Sequence, residues 1–96
     1  MLLVVAYDIN TSDKGGESRL RKVSKQCQKY GQRVQDSLFE CYIDYSQCMI
    51  LKGQLEKIID KNKDSVRMYF LGNKYDDKVI YLGNDKLINI NNAVIF

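Results

Sequence analysis

Residues 2–9 have the sequence LLVVAYDI, and this stretch decides the fold. A short unbroken apolar run rich in valine and leucine is typical of a buried β-strand. Alternation along the strand places Leu2, Val4, Ala6 and Asp8 on one face and Leu3, Val5, Tyr7 and Ile9 on the other. Because both faces are apolar as far as Ala6, we expect both to be covered.

The segments after this strand alternate between helical and strand patterns. We predict a first helix that starts at Glu17 or Ser18 and is ended by Gly31, and a second helix that is capped by Ser46. Between them we predict a strand over Gln32–Tyr45 with a kink near Asp36-Ser37. After the second helix we predict a strand over Ser65–Leu71 and a weaker strand over Asp77–Leu82. This order predicts an α+β ferredoxin-like β-α-β-β-α-β sandwich with an extra C-terminal strand.

Helical spacing identifies the buried side of each predicted helix. The first helix has its apolar stripe at Leu20, Val23, Cys27 and Tyr30. The second has apolar residues at Met49, Ile50, Leu55, Ile58 and Ile59. Both helices then pack on one face of the antiparallel sheet, and the other face needs a different cover.

A second copy of the chain is the cover that we expect, which predicts a twofold homodimer. The 96 residues form one domain, 1–96, with a modest core of its own. Within it, residues 77–96 form a C-terminal strand and tail that we expect to pack on the partner subunit.

Composition excludes several classes of site. The chain has no histidine, which excludes Ser-His and Cys-His nucleophilic sites and His-ligated zinc. The three cysteines, Cys27, Cys41 and Cys48, form no C-x-x-C pair, which argues against a structural zinc site, and their odd number fits a reducing cytoplasm. Cys27 and Cys41 fall in apolar patterns, so we expect them to be small core residues. The N-terminal apolar stretch is too short for a signal peptide or a membrane span, which favours a cytoplasmic protein that binds no membrane.

A basic segment follows the first strand. Between Ser18 and Gln35 there are six basic residues and no acidic one: Arg19, Arg21, Lys22, Lys25, Lys29 and Arg33. The whole chain has a net charge of only +3, so this local excess is more informative than the total. It indicates an anion-binding face for nucleic acid, formed by Arg19, Arg21, Lys22, Lys25 and Arg33. The alternative is an ordinary solvated helix surface.

Asp8 is the candidate catalytic and metal-binding residue. It comes directly after the apolar run, where a carboxylate is well placed to bind Mg²⁺ or Mn²⁺. In a twofold dimer, two such carboxylates near the axis would repel each other or recruit a cation. The alternative is that Asp8 caps the turn formed by residues 10–12.

Phe39 lies in the second strand and has two interpretations. It is either a core or interface aromatic, which we favour, or a platform on which a base stacks.

Five segments together resemble a known family: YDI at 7–9, RLRKV at 19–23, YGQRVQ at 30–35, SLFEC at 37–41 and DSVRMYFLG at 64–72. In this order and spacing they are similar to the small CRISPR-associated adaptation protein, the second Cas protein. The KVIYLG segment at 78–83 is most similar to type I-C versions.

The resemblance implies several properties. Members are ferredoxin-like homodimers whose final strand commonly swaps onto the partner. Some are metal-dependent endonucleases that act on double-stranded DNA or on RNA, with the matching aspartate, here Asp8, as the metal ligand. Members also bind the larger adaptation protein, the CRISPR integrase, and take part in spacer acquisition. In several systems the dimer serves there as a non-catalytic DNA platform, which is the alternative to the nuclease function.

Overall fold

A computed structural model describes residues 1–83 of the chain. Its elements are β1 (Leu2–Asp8), α1 (Gly16–Gln28), β2 (Gly31–Gln35), β3 (Leu38–Tyr42), α2 (Tyr45–Ile58) and β4 (Ser65–Gly72). The strands form an antiparallel sheet in the order β2-β3-β1-β4. This is the ferredoxin-like arrangement that the sequence predicts.

The core lies between one face of the sheet and the two helices. Its buried residues include Leu3, Val5 and Tyr7 of β1, Phe39 and Cys41 of β3, Val23 and Cys27 of α1, and Cys48, Leu51 and Leu55 of α2. Leu20 and Tyr30 pack against this cluster, so the predicted stripe of α1 is confirmed. Burial raises the pKa of the Cys27 and Cys41 thiols to about 12, which leaves both thiols protonated and unreactive at neutral pH.

The other face of the sheet points away from the helices, and we call it the open face. It carries Val4, Ala6 and Asp8 of β1, and the cross-strand partners of Val4 and Ala6 on β4 are Tyr69 and Arg67. Val4 and Ala6 are half-buried, and Tyr69 is exposed. At one end of the face, the ring of Tyr75 lies 5.5 Å from that of Tyr42. The described part of one chain therefore leaves apolar surface uncovered on this face, as the sequence predicts.

The predicted kink in the second strand is a complete turn. Residues 31–42 form two strands joined at Asp36 and Ser37, and the Tyr7 backbone N–H donates to Ser37 O over 3.1 Å. The hydroxyl of Tyr7 also donates to Asp36 O over 3.3 Å. These two bonds attach the hairpin turn to β1 next to Asp8.

The prediction that Gly31 ends α1 is wrong. The helix ends at Gln28, and Gly31 is the first residue of β2. A Cβ atom on Gly31 would lie 2.4 Å from the carbonyl oxygen of Glu40 and 2.5 Å from Sγ of Cys41. Close approach to β3, and not a left-handed conformation, is what requires glycine at this position.

The prediction that Ser46 caps α2 is also wrong, because Asp44 is the cap. Oδ1 of Asp44 accepts from Gln47 N over 2.8 Å, and Asp44 N donates to Gln47 Oε1 over 3.1 Å. This reciprocal pair is a capping box. The helix phase differs too: Cys48 and Leu51 are buried, whereas Ile50 is half exposed.

Residues 73–83 contain no strand within this single chain, although the sequence favours one over Asp77–Leu82. The rest of the predicted C-terminal tail, 84–96, lies outside the described residues. The packing of residues 77–96 on a partner subunit stays a prediction. Among residues 1–83, no helix is long and apolar enough to cross a lipid bilayer.

Candidate functional site

Asp8 lies at the end of the central strand, exposed on the open face of the sheet. On one side it pairs with Ser65, the first residue of β4. On the other side the chain passes the hairpin turn, where Tyr7 N bonds to Ser37 O. Within residues 1–83 the carboxylate of Asp8 takes part in no hydrogen bond and no ion pair. An exposed carboxylate on a rigid strand end is therefore available to a ligand.

The turn after β1 is capped by Asn10 and not by Asp8. Oδ1 of Asn10 accepts from Ser12 N over 2.9 Å and from Ser12 Oγ over 2.6 Å. This is the local side-chain bonding that favours asparagine in turns. The alternative interpretation of Asp8, as the cap of this turn, is wrong.

Asp64, for which the sequence predicts no role of its own, organises the same end of the molecule. Its side chain has no exposed surface. Oδ1 accepts from Asn10 N over 3.0 Å, and Oδ2 accepts from Asp60 N over 2.8 Å. Arg19 Nε donates to Oδ2 over 2.7 Å, and Arg19 Nη2 donates to Oδ1 over 3.3 Å. We call this carboxylate with its three donor residues, Asn10, Arg19 and Asp60, the Asp64 clamp.

Charge complementarity stabilises the ionised form of each member of this cluster. The Arg19 guanidinium lowers the pKa of Asp64 to about 2, helped by the N–H donors of Asp60 and Asn10. Hydrogen bonding to Asp64 in turn raises the pKa of Arg19. Asp13 bonds to Lys63 over 2.6 Å and to Arg19 over 3.2 Å, and these cations lower its pKa.

Arg19 therefore differs from the other basic residues that the sequence assigns to nucleic acid. Its donors are used by Asp64, Asp13 and Asn10 O. Arg21, Lys22 and Lys25 are exposed on the surface of α1. Those three form no ion pair within the described residues, and we call them the α1 cations.

Arg33 lies near the α1 cations, on β2. Its Nη1 donates to Asp36 O over 3.0 Å, its Nη2 donates to Ser24 Oγ, and its guanidinium carbon lies 5.2 Å from the centroid of the Phe39 ring. A cleft of about 630 Å³ opens between α1 and the hairpin turn, lined by Tyr7, Glu17, Leu20, Arg21, Ser24, Lys25, Gln28, Arg33, Asp36 and Ser37. The groups that hold this guanidinium, Asp36 O and Ser24 Oγ, are uncharged. Because they do not neutralise its positive charge, Arg33 can attract an anion at the mouth of the cleft.

Phe39 itself is a core residue. It has no exposed surface, and its ring stacks on that of Tyr7 with centroids 6.2 Å apart. With Arg33 above it and Tyr7 beside it, the ring has no free face on which a nucleotide base could stack.

The donor set at Asp8 fits a hard divalent cation if two chains share the ion. No group of three histidine, cysteine or acidic side chains suited to a metal occurs within residues 1–83. At the end of β1 the described part of one chain thus offers one unengaged carboxylate, that of Asp8, on a sheet face that a second copy can cover. Mg²⁺ and Mn²⁺ accept few protein carboxylates and keep several water ligands, so one Asp8 from each of two chains would suffice.

Comparisons with known proteins show to which family the chain belongs. The family model described as CRISPR associated protein Cas2 matches residues 1–79. The chain belongs to the Cas2 family. It is 50% identical over 96 residues to the CRISPR-associated endonuclease Cas2 of Halalkalibacterium halodurans, with 100% of both chains covered. It is 47% identical over 83 residues to the CRISPR-associated endoribonuclease Cas2 of Nitratidesulfovibrio vulgaris, which covers 86% of this chain and 81% of that one.

Solved structures of Cas2 proteins show the same fold. The crystal structure of Streptococcus pyogenes Cas2 matches with a TM-score of 0.74 and 44% identity, over 86% of this chain and 100% of that one. Membership of the Cas2 family, predicted from five short segments, is confirmed. The similarity to type I-C versions stays a prediction.

Proposed function

We propose that this protein is a CRISPR-associated endonuclease that cleaves phosphodiester bonds of double-stranded DNA or RNA with the help of Mg²⁺ or Mn²⁺. The observation that carries the proposal is the Asp8 carboxylate, which is exposed on the open face and unengaged within residues 1–83. The names endonuclease and endoribonuclease, which its Cas2 relatives carry, support the reaction class and leave open the choice between DNA and RNA.

The active form that we propose is a homodimer formed through the open face. Val4, Ala6 and Tyr69 supply its apolar surface, and Asp8 lies on the same face at the strand end. A twofold axis that passes through this face close to Asp8 would bring the two Asp8 carboxylates together, and their repulsion favours a shared cation. When bound, the cation would neutralise charge on the phosphate and activate a water molecule for attack.

The protein's own residues have two tasks in this proposal. Asp8 holds the cation and orients it toward the scissile phosphate. The α1 cations and Arg33 bind phosphates farther along the nucleic acid, on the helix side of the sheet, and Arg33 does so with a guanidinium that is already fixed by Ser24 and Asp36. The buried protonated thiols have no part in the reaction.

The test is a cleavage assay with duplex DNA and with single-stranded RNA, in Mg²⁺ or Mn²⁺, comparing the parent with Asp8→Asn. We expect the variant to lose cleavage by at least about 100-fold while it still binds nucleic acid. Glu56→Gln, which removes an exposed carboxylate of α2, is the matched control and keeps parental activity. Parental cleavage by Asp8→Asn would refute the proposed site.

A second function is favoured by the separation of the two candidate surfaces. The α1 cations lie on the helix side of the sheet, whereas Asp8 lies on the opposite, open face. Binding of duplex DNA along α1 therefore needs no contact with Asp8. We infer that the dimer also acts in CRISPR adaptation as a DNA platform beside the integrase. Spacer acquisition that is intact with Asp8→Asn but lost when the α1 cations are removed would identify this as the function that matters in adaptation.

A further inference from the structure

One buried carboxylate, that of Asp64, supports the surroundings of Asp8 in two places. Asn10, two residues after Asp8, donates its backbone N–H to Oδ1 of Asp64 over 3.0 Å. Ser65, the residue directly after Asp64, is the cross-strand partner of Asp8 on β4. The position of Asp64 therefore sets both the register beside Asp8 and the path of the chain that leaves it.

The neighbouring ladder offers less support at this point. The pairing of β1 with β3 ends at Ala6 and Leu38, and beyond it Tyr7 N donates to Ser37 O. Asp8 is thus the last residue of its strand, with β4 and the Asp64 clamp as its remaining supports. Arg19 and Asp60 connect the clamp to α1 and to the end of α2, so the strand end is held by elements of the core.

We propose that Asp64 is a positioning residue for Asp8, which it aligns with its counterpart in the dimer so that both carboxylates reach one cation. This proposal rests on the proposed function, because it assigns the clamp a role in that same site. Asp64 does not touch the ion or the nucleic acid. It acts through the backbone at Asn10 and through the pairing of Ser65 with Asp8.

An asparagine at position 64 would have the same shape but the wrong hydrogen-bonding groups. The carboxylate presents two acceptor oxygens to four N–H donors, all within 3.3 Å. An amide presents one acceptor oxygen and one NH₂ group, so at least one donor faces another donor. The loop at Asn10 or the contact with Arg19 must then move, and the end of β1 loses a fixed point.

The experiment measures three quantities on the full-length protein: kcat and KM for cleavage of a duplex oligonucleotide, Mn²⁺ affinity by electron paramagnetic resonance without nucleic acid, and the melting temperature. For Asp64→Asn we expect kcat to fall about tenfold and Mn²⁺ affinity to fall by a similar factor. We expect KM for the oligonucleotide to change less than about twofold, because the phosphate contacts come from α1 and Arg33.

Two further variants separate positioning from stability. Leu55→Ala removes a buried side chain of α2 that forms no part of the clamp, and it lowers the melting temperature. It keeps the parental kcat and Mn²⁺ affinity at temperatures where it is folded. Arg19→Lys keeps the charge beside Asp64 but loses the two-pronged contact, and we expect a smaller loss of both quantities. If Asp64→Asn does not fold, Arg19→Lys alone shows whether the clamp positions Asp8 or only stabilises the fold.

Failure of this proposal is distinguishable from failure of the proposed function. If Asp8→Asn cleaves and binds Mn²⁺ like the parent, the site itself is wrong and the proposal falls with it. If Asp8→Asn is inactive while Asp64→Asn and Arg19→Lys have the kcat and Mn²⁺ affinity of Leu55→Ala, the clamp is purely structural and this proposal alone is overturned.

Discussion

Arg19 Nε donates to Oδ2 of Asp64 over 2.7 Å, and this bond joins residues 45 positions apart in the chain. The side chain of Asp64 has no exposed surface, and that of Arg19 is 16% exposed. Because the pair is largely removed from water, breaking it leaves a buried charge without its partner. A cation that the sequence pattern assigns to nucleic acid is therefore part of the tertiary structure.

We expect replacement of Arg19 to lower the stability of the fold, and not chiefly to remove a surface contact with nucleic acid. We expect Arg19→Ala to lower the free energy of unfolding by about 3 kcal/mol, because Asp64 stays buried and loses its counter-ion. Arg21→Ala, two residues away on the exposed side of the same helix, is expected to change it by less than about 0.5 kcal/mol. Urea denaturation of both variants and the parent measures the difference. Equal unfolding free energies for the two variants would contradict the assignment of Arg19 to the fold.

Acid is expected to weaken the same cluster. Hydrogen bonding to Arg19 lowers the pKa of Asp64 from its usual value of 3.8 to about 2 in the folded protein. A lowered folded pKa means that the stabilisation is fully present above the unfolded pKa and is lost as the pH falls from about 4 toward 2. This shift corresponds to about 2 kcal/mol. The lowered pKa of Asp13 acts in the same direction.

The measurement is the free energy of unfolding between pH 6 and pH 2, for the parent and for Asp64→Asn. The parent loses stability more steeply below pH 4, because the variant has no carboxyl group at position 64 to titrate. Parallel curves for the two proteins would show that the pKa of Asp64 is the same in the folded and the unfolded state, which would contradict this prediction.

Much of the fold follows from local sequence patterns. The apolar alternation of residues 2–9 and the stripe through Val23 and Cys27 predict β1 and α1 because each pattern is complete within its own segment. The position of Asp8 at the end of β1, on the same face as Val4 and Ala6, is predicted correctly for the same reason. The sequence predicts boundaries less well. At Gly31 a contact from another strand decides the boundary, because β3 excludes a side chain there. At the start of α2 the deciding bond is local, between Asp44 and Gln47, and two neighbouring polar residues, Asp44 and Ser46, could each have been the cap.

Asp64 could not have been found from the sequence. It lies in a polar stretch between α2 and β4, where an acidic residue usually faces water. Its donors come from positions 10, 19 and 60, and only the antiparallel pairing of β4 with β1 brings them to it. The role of Arg19 is hidden for the same reason, because a basic run on a helix carries no sign of which member faces a buried acid.

Two glycines are expected to respond in opposite ways to the same change. Gly31→Ala is expected to destabilise the protein by about 3 kcal/mol, because the new Cβ would overlap the backbone of Glu40 and the sulfur of Cys41. Gly53→Ala is expected to stabilise it by about 0.5–1 kcal/mol, because the position is helical and no atom lies within 4 Å of the new Cβ. Thermal denaturation decides both, and a stabilising Gly31→Ala would refute the close approach of β2 to β3.

The start of α2 gives a second matched pair. Asp44→Ala is expected to cost about 1 kcal/mol, because it removes the acceptor for Gln47 N and opens the capping box. Ser46→Ala, at an exposed position within the first turn, is expected to cost less than about 0.5 kcal/mol. The two values come from the same denaturation experiment, and a larger loss at Ser46 would restore it as the cap.

The α1 cations are expected to set the salt dependence of nucleic-acid binding. Replacing Arg21, Lys22 and Lys25 together by alanine removes three positive charges that are exposed on one face of α1. If each contacts one phosphate, the slope of log K against log salt concentration for duplex DNA becomes shallower by about 3. Arg19 is left in place, so a change in the slope does not arise from loss of the Asp64 clamp.

The control removes the same charge elsewhere on the surface. Lys57, Lys61 and Lys74 are exposed and lie outside α1. Their joint replacement by alanine leaves the slope within about 0.5 of the parental value if binding uses the α1 face, because distant charges are screened beyond about 10 Å at 0.1 M salt. Equal changes from the two triple variants would mean that net charge, and not the α1 face, determines the affinity for DNA.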